Sequence, residues 1–206
     1  MANVPLIAHS LREIGLYLRA TACPTCARGP LIAKKPVDAG EPSDEGQRRQ
    51  AANAALVPVE ALCRACGATT DWTFSVQRGA DPSEGTPGNA INDGDEPSRI
   101  IDVGQWIMLS RRFMEDADRE TDKVRARNLR IEAGECLEEA VKFYDDPDND
   151  LPPAGAFFHE TSRKRLRQAP EQFSRRRLIE LRAKLPSPFT RNKEAAKRTK
   201  PTGGGR

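Results

Sequence analysis

The sequence contains few residues of the kinds that indicate a disulfide scaffold, a membrane protein or a large hydrophobic core. Five cysteines in 206 residues are too sparse for a disulfide framework. No run approaches the roughly 18 apolar residues of a membrane span, and the N-terminus lacks a basic segment followed by a long apolar one. These absences predict a cytoplasmic protein. Because only 37% of residues are hydrophobic and 31% are charged, we expect small folded units that alternate with polar segments.

The chain also lacks the motifs of the common enzyme classes. Its two histidines, His9 and His159, have no neighbours that suggest a catalytic triad. It contains no phosphate-binding loop, no nucleophile with an adjacent base and no paired catalytic carboxylates. The sequence therefore predicts a protein that is not an enzyme.

Four of the cysteines form two close pairs, Cys23 with Cys26 and Cys63 with Cys66. A C-x-x-C pair brings two thiolates to one ion from a single turn, and two such pairs complete a tetrahedral shell. Because this shell leaves no open position for substrate, the predicted cofactor is one structural Zn²⁺. Iron also binds four cysteines, but Ala27 follows the first pair where iron sites of this kind carry glycine, which favours zinc.

The sequence around both pairs resembles that of zinc-ribbon proteins over residues 21–76. Short apolar or alternating segments at 31–33, 55–62 and 69–76 predict strands that enter and leave the two cysteine turns. The resemblance implies a small β-rich fold with a cysteine pair at the tip of each hairpin. The 36 residues between the pairs exceed the usual spacing of about 15–20, and polar residues 36–53 account for the excess as an insertion.

An amphipathic helix is predicted before the first cysteine pair. It would begin near Pro5, because Ile7, Leu11, Ile14 and Leu18 recur at helical spacing. Together with the ribbon, this helix makes residues 1–77 the first predicted unit. Residues 78–97 are acidic and rich in Gly and Pro, which predicts a flexible linker.

Residues 98–146 predict an antiparallel helical hairpin. Ser98 is the expected N-cap of its first helix, and the chain breaks near Asp122. The second helix has an apolar stripe of Leu129, Ala133, Cys136, Ala140 and Tyr144. Cys136 is expected to be a small buried hydrophobic residue rather than a reactive thiol. Together these features predict an α+β protein, with the hairpin as a possible protein-binding surface.

The C-terminal part of the chain is strongly basic. Residues 161–206 hold 15 Lys/Arg against 3 Asp/Glu, whereas residues 1–160 hold 18 against 27. We expect a loop and a basic helix at 147–189, with the helix opening at Pro170, and a disordered basic tail at 190–206. The candidate nucleic-acid contacts are Arg175, Arg176, Arg177, Arg182, Lys193, Lys197 and Arg198.

This charge asymmetry favours a nucleic-acid partner. The alternatives are an adaptor that binds an acidic protein partner and an accessory subunit of an enzyme.

Overall fold

The computed structural model of the protein describes residues 4–35, 37, 54–77, 91–146 and 148–187. The strands of this part of the chain are β1 (Leu6–Ala8), β2 (Leu31–Ala33), β3 (Ala54–Cys63) and β4 (Thr69–Gln77). The helices are α1 (Leu11–Ala20), α2 (Val103–Arg119), α3 (Lys123–Val141), α4 (Glu160–Gln168) and α5 (Arg175–Ala183), with 3-10 turns at Ala154–Ala156 and Pro170–Phe173. The predicted α+β class is confirmed.

Several predicted segments lie outside the described residues. They are the insertion at 36–53 apart from residue 37, residues 78–90 of the linker, and the tail at 190–206.

The four strands form one sheet in the order β1-β4-β3-β2. β3 pairs antiparallel with both β2 and β4, and β1 pairs parallel with β4. Side chains alternate between the faces of a strand, so Trp72, Phe74 and Val76 of β4 share one face, as the alternation predicts. Tyr17 of α1 packs edge-on against Trp72 and Phe74, with ring centroids 5.5 and 5.6 Å apart. Helix α1 therefore covers the inner face of the sheet.

The N-terminal helix begins later than the sequence predicts. Ile7 lies in β1, opposite Ser75 of β4. α1 begins at Leu11 because the Ser10 hydroxyl accepts a hydrogen bond from the Glu13 N–H and so caps the helix. The predicted start at Pro5 was wrong because the backbone of residues 6–8 forms hydrogen bonds with the edge of β4. The apolar periodicity of the N-terminal segment gives no information about such a pairing.

Helices α2 and α3 form the predicted hairpin, joined by residues 120–122. Asp122 caps α3 at the predicted break, with its carboxylate accepting the Val124 N–H. The N-cap of α2 is Asp102 and not Ser98, because Asp102 and Gln105 form a reciprocal capping box. The Ser98 hydroxyl instead accepts N–H groups of the turn that precedes Asp102. In the described part of the chain, no helix is long and apolar enough to cross a membrane.

The C-terminal region contains two helices where the sequence predicts one. Residues 170–173 form a 3-10 turn, and α5 begins after Ser174, whose hydroxyl accepts the Arg177 N–H. The additional helix α4 buries only Ser162 among its residues. Because α4 has almost no apolar face, hydrophobic periodicity could not reveal it.

Buried residues on both sides of the predicted linker belong to one contiguous hydrophobic core. Ile91, near the C-terminal end of that linker, belongs to this core, and its carbonyl accepts a hydrogen bond from the Ser10 hydroxyl at 2.7 Å. Arg12 of α1 forms an ion pair with Glu135 of α3. Helix α1 therefore contacts the sheet on one side and the helical hairpin on the other. The division of the chain into separate domains stays a prediction.

Candidate metal centre

The strand register brings the two cysteine pairs to the same end of the sheet. Cys63 is the last residue of β3 and lies opposite Leu31, the first residue of β2. The first pair precedes β2 and the second follows β3, so antiparallel pairing places the two turns side by side. The Arg64 N–H donates to the Pro30 carbonyl at 3.0 Å and joins the turns directly.

The four sulfur atoms form a cluster of the size that a tetrahedral metal site requires. They all lie within 4.8 Å of one another. The Sγ atoms of Cys23 and Cys66 are 3.8 Å apart, and those of Cys26 and Cys63 are 3.7 Å apart. Zn–S bonds of about 2.3 Å in a regular tetrahedron place the sulfurs about 3.8 Å apart. The four cysteines are therefore positioned to bind one metal ion.

Each cysteine pair lies in a turn of the same construction. The Ala27 N–H donates to the Cys23 carbonyl at 2.8 Å, and the Gly67 N–H donates to the Cys63 carbonyl at 2.9 Å. Both donors adopt the left-handed conformation, with φ of 54° at Ala27 and 74° at Gly67. Glycine adopts this conformation without strain, whereas a residue with a Cβ does not. The first turn therefore carries a conformational cost that the second avoids.

The protein environment favours one thiolate of the cluster and disfavours another. The backbone N–H of Cys26 is the largest influence on Cys23, and it helps lower the pKa of that thiol to about 6. The backbone N–H of Ala68 favours the Cys66 thiolate, but the neighbouring thiols, first Cys26, outweigh it and raise the pKa of Cys66 to about 12. Four adjacent thiolates repel one another, so full ionisation of this cluster requires a bound cation.

Cys23 and Cys63 are each 1% exposed, Cys26 is half-buried and Cys66 is exposed. The site therefore lies at the end of the sheet and at the protein surface, with Cys66 exposed to solvent. Cys136 is fully buried in α3, where desolvation raises the pKa of its thiol far above the ordinary value. Its surroundings agree with the predicted role of a small buried hydrophobic residue.

The predicted nucleic-acid residues of α5 do not share one environment. Arg176 and Arg177 are exposed, and Arg175 is half-buried with its Nε in contact with no hydrogen-bond acceptor among the described residues. The Arg182 Nε donates to Glu138 of α3 at 2.6 Å, so this side chain joins two helices. Lys193, Lys197 and Arg198 lie outside the described residues.

Sequence reasoning missed two groups of charged residues that the fold brings together. The positive charges of Arg165 of α4 and Arg177 of α5 both act on Arg111 of α2. Glu13 of α1 and Glu139 of α3 are both buried, in a region that also contains Lys142. Each group includes one residue that is far from the others in sequence, Arg111 in the first and Glu13 in the second, and α4 itself was not predicted. Charge counts along the chain therefore contained no signal for either group.

Comparison with known proteins adds no relationship to these observations. No protein-family model matches the chain, and neither a curated protein nor a solved structure matches it. The cysteine cluster is compatible with a zinc-ribbon-like motif, and this resemblance identifies no family.

Proposed function

We propose that the protein is a non-enzymatic binding protein whose sheet is stabilised by one structural Zn²⁺ bound to Cys23, Cys26, Cys63 and Cys66. The observation that carries this proposal is the agreement between the sulfur separations of 3.7 and 3.8 Å and the edge of a tetrahedral Zn–S₄ site. Four protein ligands fill the coordination shell, so the ion would have a structural role and no position for substrate. Metal binding of this kind contributes on the order of 10 kcal/mol to folding.

The proposed partner is nucleic acid, bound through the basic C-terminal region. Residues 161–206 have five times as many basic as acidic residues, 15 against 3. Within this region, Arg176 and Arg177 are exposed in the first turn of α5. Successive helical residues point about 100° apart, so these two arginines would contact different parts of a phosphate backbone. The predicted tail contains Lys193, Lys197 and Arg198, whose positive charges would bind further phosphates of the same nucleic acid.

A groove between the sheet and the helical hairpin supports the second candidate, a protein-interaction adaptor. It has a volume of about 920 Å³ and includes the apolar side chains of Ile32, Leu109 and Phe113. Arg64 and Asp116 are among the charged residues that border it. An amphipathic segment of a protein partner fits this combination of apolar floor and mixed charge.

The metal proposal is tested by elemental analysis of the full chain purified without added metal. We expect zinc near one equivalent per chain, and almost none in Cys63→Ser. The matched control is Cys136→Ala, which alters a buried cysteine outside the cluster and should keep its zinc. Iron in place of zinc would contradict the metal assignment, and full metal content in Cys63→Ser would contradict the ligand assignment.

The partner proposal is tested by fluorescence anisotropy with a labelled oligothymidine of about 16 nucleotides and a duplex of the same length. Affinity should fall by orders of magnitude between about 50 and 200 mM salt, because binding releases counterions. A chain that ends at residue 189 should bind more weakly, with a shallower salt dependence and unchanged zinc content. Binding that does not respond to salt would argue against this partner and for the adaptor.

A further inference from the structure

The four cysteines of the metal centre differ in how far solvent reaches them. Cys23 and Cys63 are each 1% exposed and Cys26 is half-buried, whereas Cys66 is exposed. The turn that carries Cys66 is exposed at each of its residues, 64–67. A solute that approaches from the surrounding water therefore meets Cys66 before the other three ligands.

Two sulfur contacts join the first cysteine turn to the second. The Sγ atoms of Cys23 and Cys66 are 3.8 Å apart, and those of Cys26 and Cys63 are 3.7 Å apart. The antiparallel pairing of β2 with β3 keeps the two turns side by side. The most exposed ligand of the centre is therefore in contact with a buried one, Cys23.

This arrangement has the features of a cysteine pair that responds to oxidants. Such a pair consists of a solvent-accessible thiolate and a second, resolving cysteine within reach. Cys66 provides the accessible sulfur and Cys23 provides the neighbouring one. Binding of a metal ion would keep both as thiolates. Cys136 does not have these features, because it is fully buried in α3.

We propose that Cys66 is an oxidation site for hydrogen peroxide and that Cys23 is its resolving cysteine. This inference rests on the proposed zinc site and adds a reaction of its ligands. In the first step, Cys66 Sγ attacks a peroxide oxygen, so that an S–O bond forms, the O–O bond breaks and hydroxide leaves. In the second step, Cys23 Sγ attacks the sulfenic sulfur of Cys66, so that the S–S bond forms, the S–O bond breaks and a second hydroxide leaves. Two thiolates thus lose two electrons, and one peroxide molecule gains them.

The second cysteine turn can make the movement that this disulfide requires. A disulfide bond is about 2.0 Å long, so the two sulfurs, now 3.8 Å apart, must approach each other by about 1.8 Å. Cys23 belongs to the hydrophobic core, whereas residues 64–67 lie at the surface and can shift without opening that core. The closure therefore moves the turn of Cys66 toward Cys23.

Formation of this disulfide removes two of the four metal ligands. The chain would then release the proposed Zn²⁺, because Cys26 and Cys63 alone do not complete a tetrahedral shell. Reduction by a dithiol restores both thiolates and, with them, metal binding. Zinc occupancy would in this way depend on the peroxide concentration around the protein.

The test treats the full zinc-loaded chain with limiting hydrogen peroxide and maps the first disulfide that forms. After the remaining thiols are blocked, trypsin cleaves after Arg64 and thereby separates Cys63 from Cys66. The tryptic peptides that carry the metal ligands are 20–28, with both cysteines of the first pair, 50–64 and 65–78. Fragmentation of the linked peptides then identifies which cysteine of peptide 20–28 is bonded.

We expect the first linked species to join peptides 20–28 and 65–78 through Cys23 and Cys66. Zinc release, followed with a chromogenic chelator, should rise in parallel with this species, and dithiothreitol with added zinc should reverse both changes. Cys136 should stay reduced at this stage. Any other first disulfide would overturn the proposal, and so would oxidation of Cys66 that stops before a disulfide forms.

Two serine variants that each remove one ligand provide a matched comparison. Cys26→Ser keeps the proposed pair, so the link between peptides 20–28 and 65–78 should still form. Cys66→Ser removes the accessible sulfur and should consume peroxide severalfold more slowly. Equal rates in the two variants, with folding verified by circular dichroism, would overturn the proposal. If either variant does not fold, the peptide map of the wild type decides the question alone.

Failure of the oxidation site and failure of the zinc proposal give different results. If zinc is present and peroxide neither releases it nor forms the expected link, the oxidation site is wrong while the metal proposal stands. If the purified chain contains no zinc, the metal proposal is wrong. The same peptide map then decides the oxidation site in the metal-free chain, because the reaction needs only the two sulfurs: a first link between Cys23 and Cys66 would support it, and any other would overturn it.

Discussion

Replacing Glu139 with Gln should stabilise the protein at alkaline pH. Glu139 of α3 is 5% exposed and Glu13 of α1 is fully buried. Glu139 Oε2 and Glu13 Oε1 are buried and have no hydrogen-bond partner among the described residues. Lys142 donates to Glu139 Oε1 at 2.8 Å and also to the backbone carbonyl of Asn92. The single positive charge of Lys142 therefore lies near two buried carboxyl groups. Because it cannot compensate for two negative charges, one of the carboxyl groups tends to keep its proton.

The magnitude follows from the electrostatics of this region. Burial raises the pKa of Glu139 from its ordinary 4.5 to about 7, with Lys142 opposing the change and Glu13 adding to it. Burial also raises the pKa of Glu13, while His9, Ser98 and Lys142 oppose that change. Because the folded state binds the Glu139 proton more tightly than the unfolded state, this contribution to stability is present below pH 4.5 and is lost as the pH rises through about 7. The loss amounts to about 3 kcal/mol.

Glutamine cannot ionise, and its Oε1 can still accept the Lys142 hydrogen bond. Urea unfolding of Glu139→Gln and of the wild type, followed by circular dichroism, should therefore show the variant more stable by about 1.5 kcal/mol at about pH 5.5, where the unfolded carboxyl group is already mostly ionised. At about pH 8 the variant should be more stable by about 3 kcal/mol. Comparing the two proteins at each pH cancels the contribution of the cysteine cluster. Glu180→Gln, at an exposed position of α5, is the control and should show no such change.

A stability difference between Glu139→Gln and the wild type that stays constant across this pH range would refute the reasoning. A variant that is less stable than the wild type at about pH 8 would do the same, because it would mean that the ionised carboxylate is stabilising.

Two further predictions concern backbone packing and conformation, and both are measured by urea unfolding with zinc present. Gly104→Ala should lower the free energy of unfolding by about 1–3 kcal/mol, because the new Cβ would lie 2.6 Å from the Ser162 hydroxyl. Gly15→Ala should raise it by up to about 1 kcal/mol, because no atom lies within 4 Å of the position of its Cβ. Equal effects at the two glycines would contradict the close approach of α2 and α4. Ala27→Gly should gain about 1 kcal/mol by relieving its left-handed backbone, and Gly67→Ala should lose about as much. A loss of stability in Ala27→Gly would show that its conformation carries no strain.

The sequence by itself determined the features that depend on local spacing. Each C-x-x-C pair indicates a metal-binding turn by its own spacing, whereas the pairing of β2 with β3 brings the two turns together. The alternation that includes Trp72 and Phe74 predicted β4, and Asp122 predicted the break between α2 and α3. Each of these signals lies within a few residues of the structure that it specifies.

The tertiary structure alone decided the features that depend on partners distant in sequence. Ile7 joined a strand because β4 offered an open edge, and α4 formed with almost no apolar face of its own. Arg111 of α2 met its hydrogen-bond acceptor, Gln172, only when the C-terminal turn packed beside that helix. Periodicity and charge counts record what each segment can bury or expose. They do not record which segments meet, because that choice depends on the packing of the whole core.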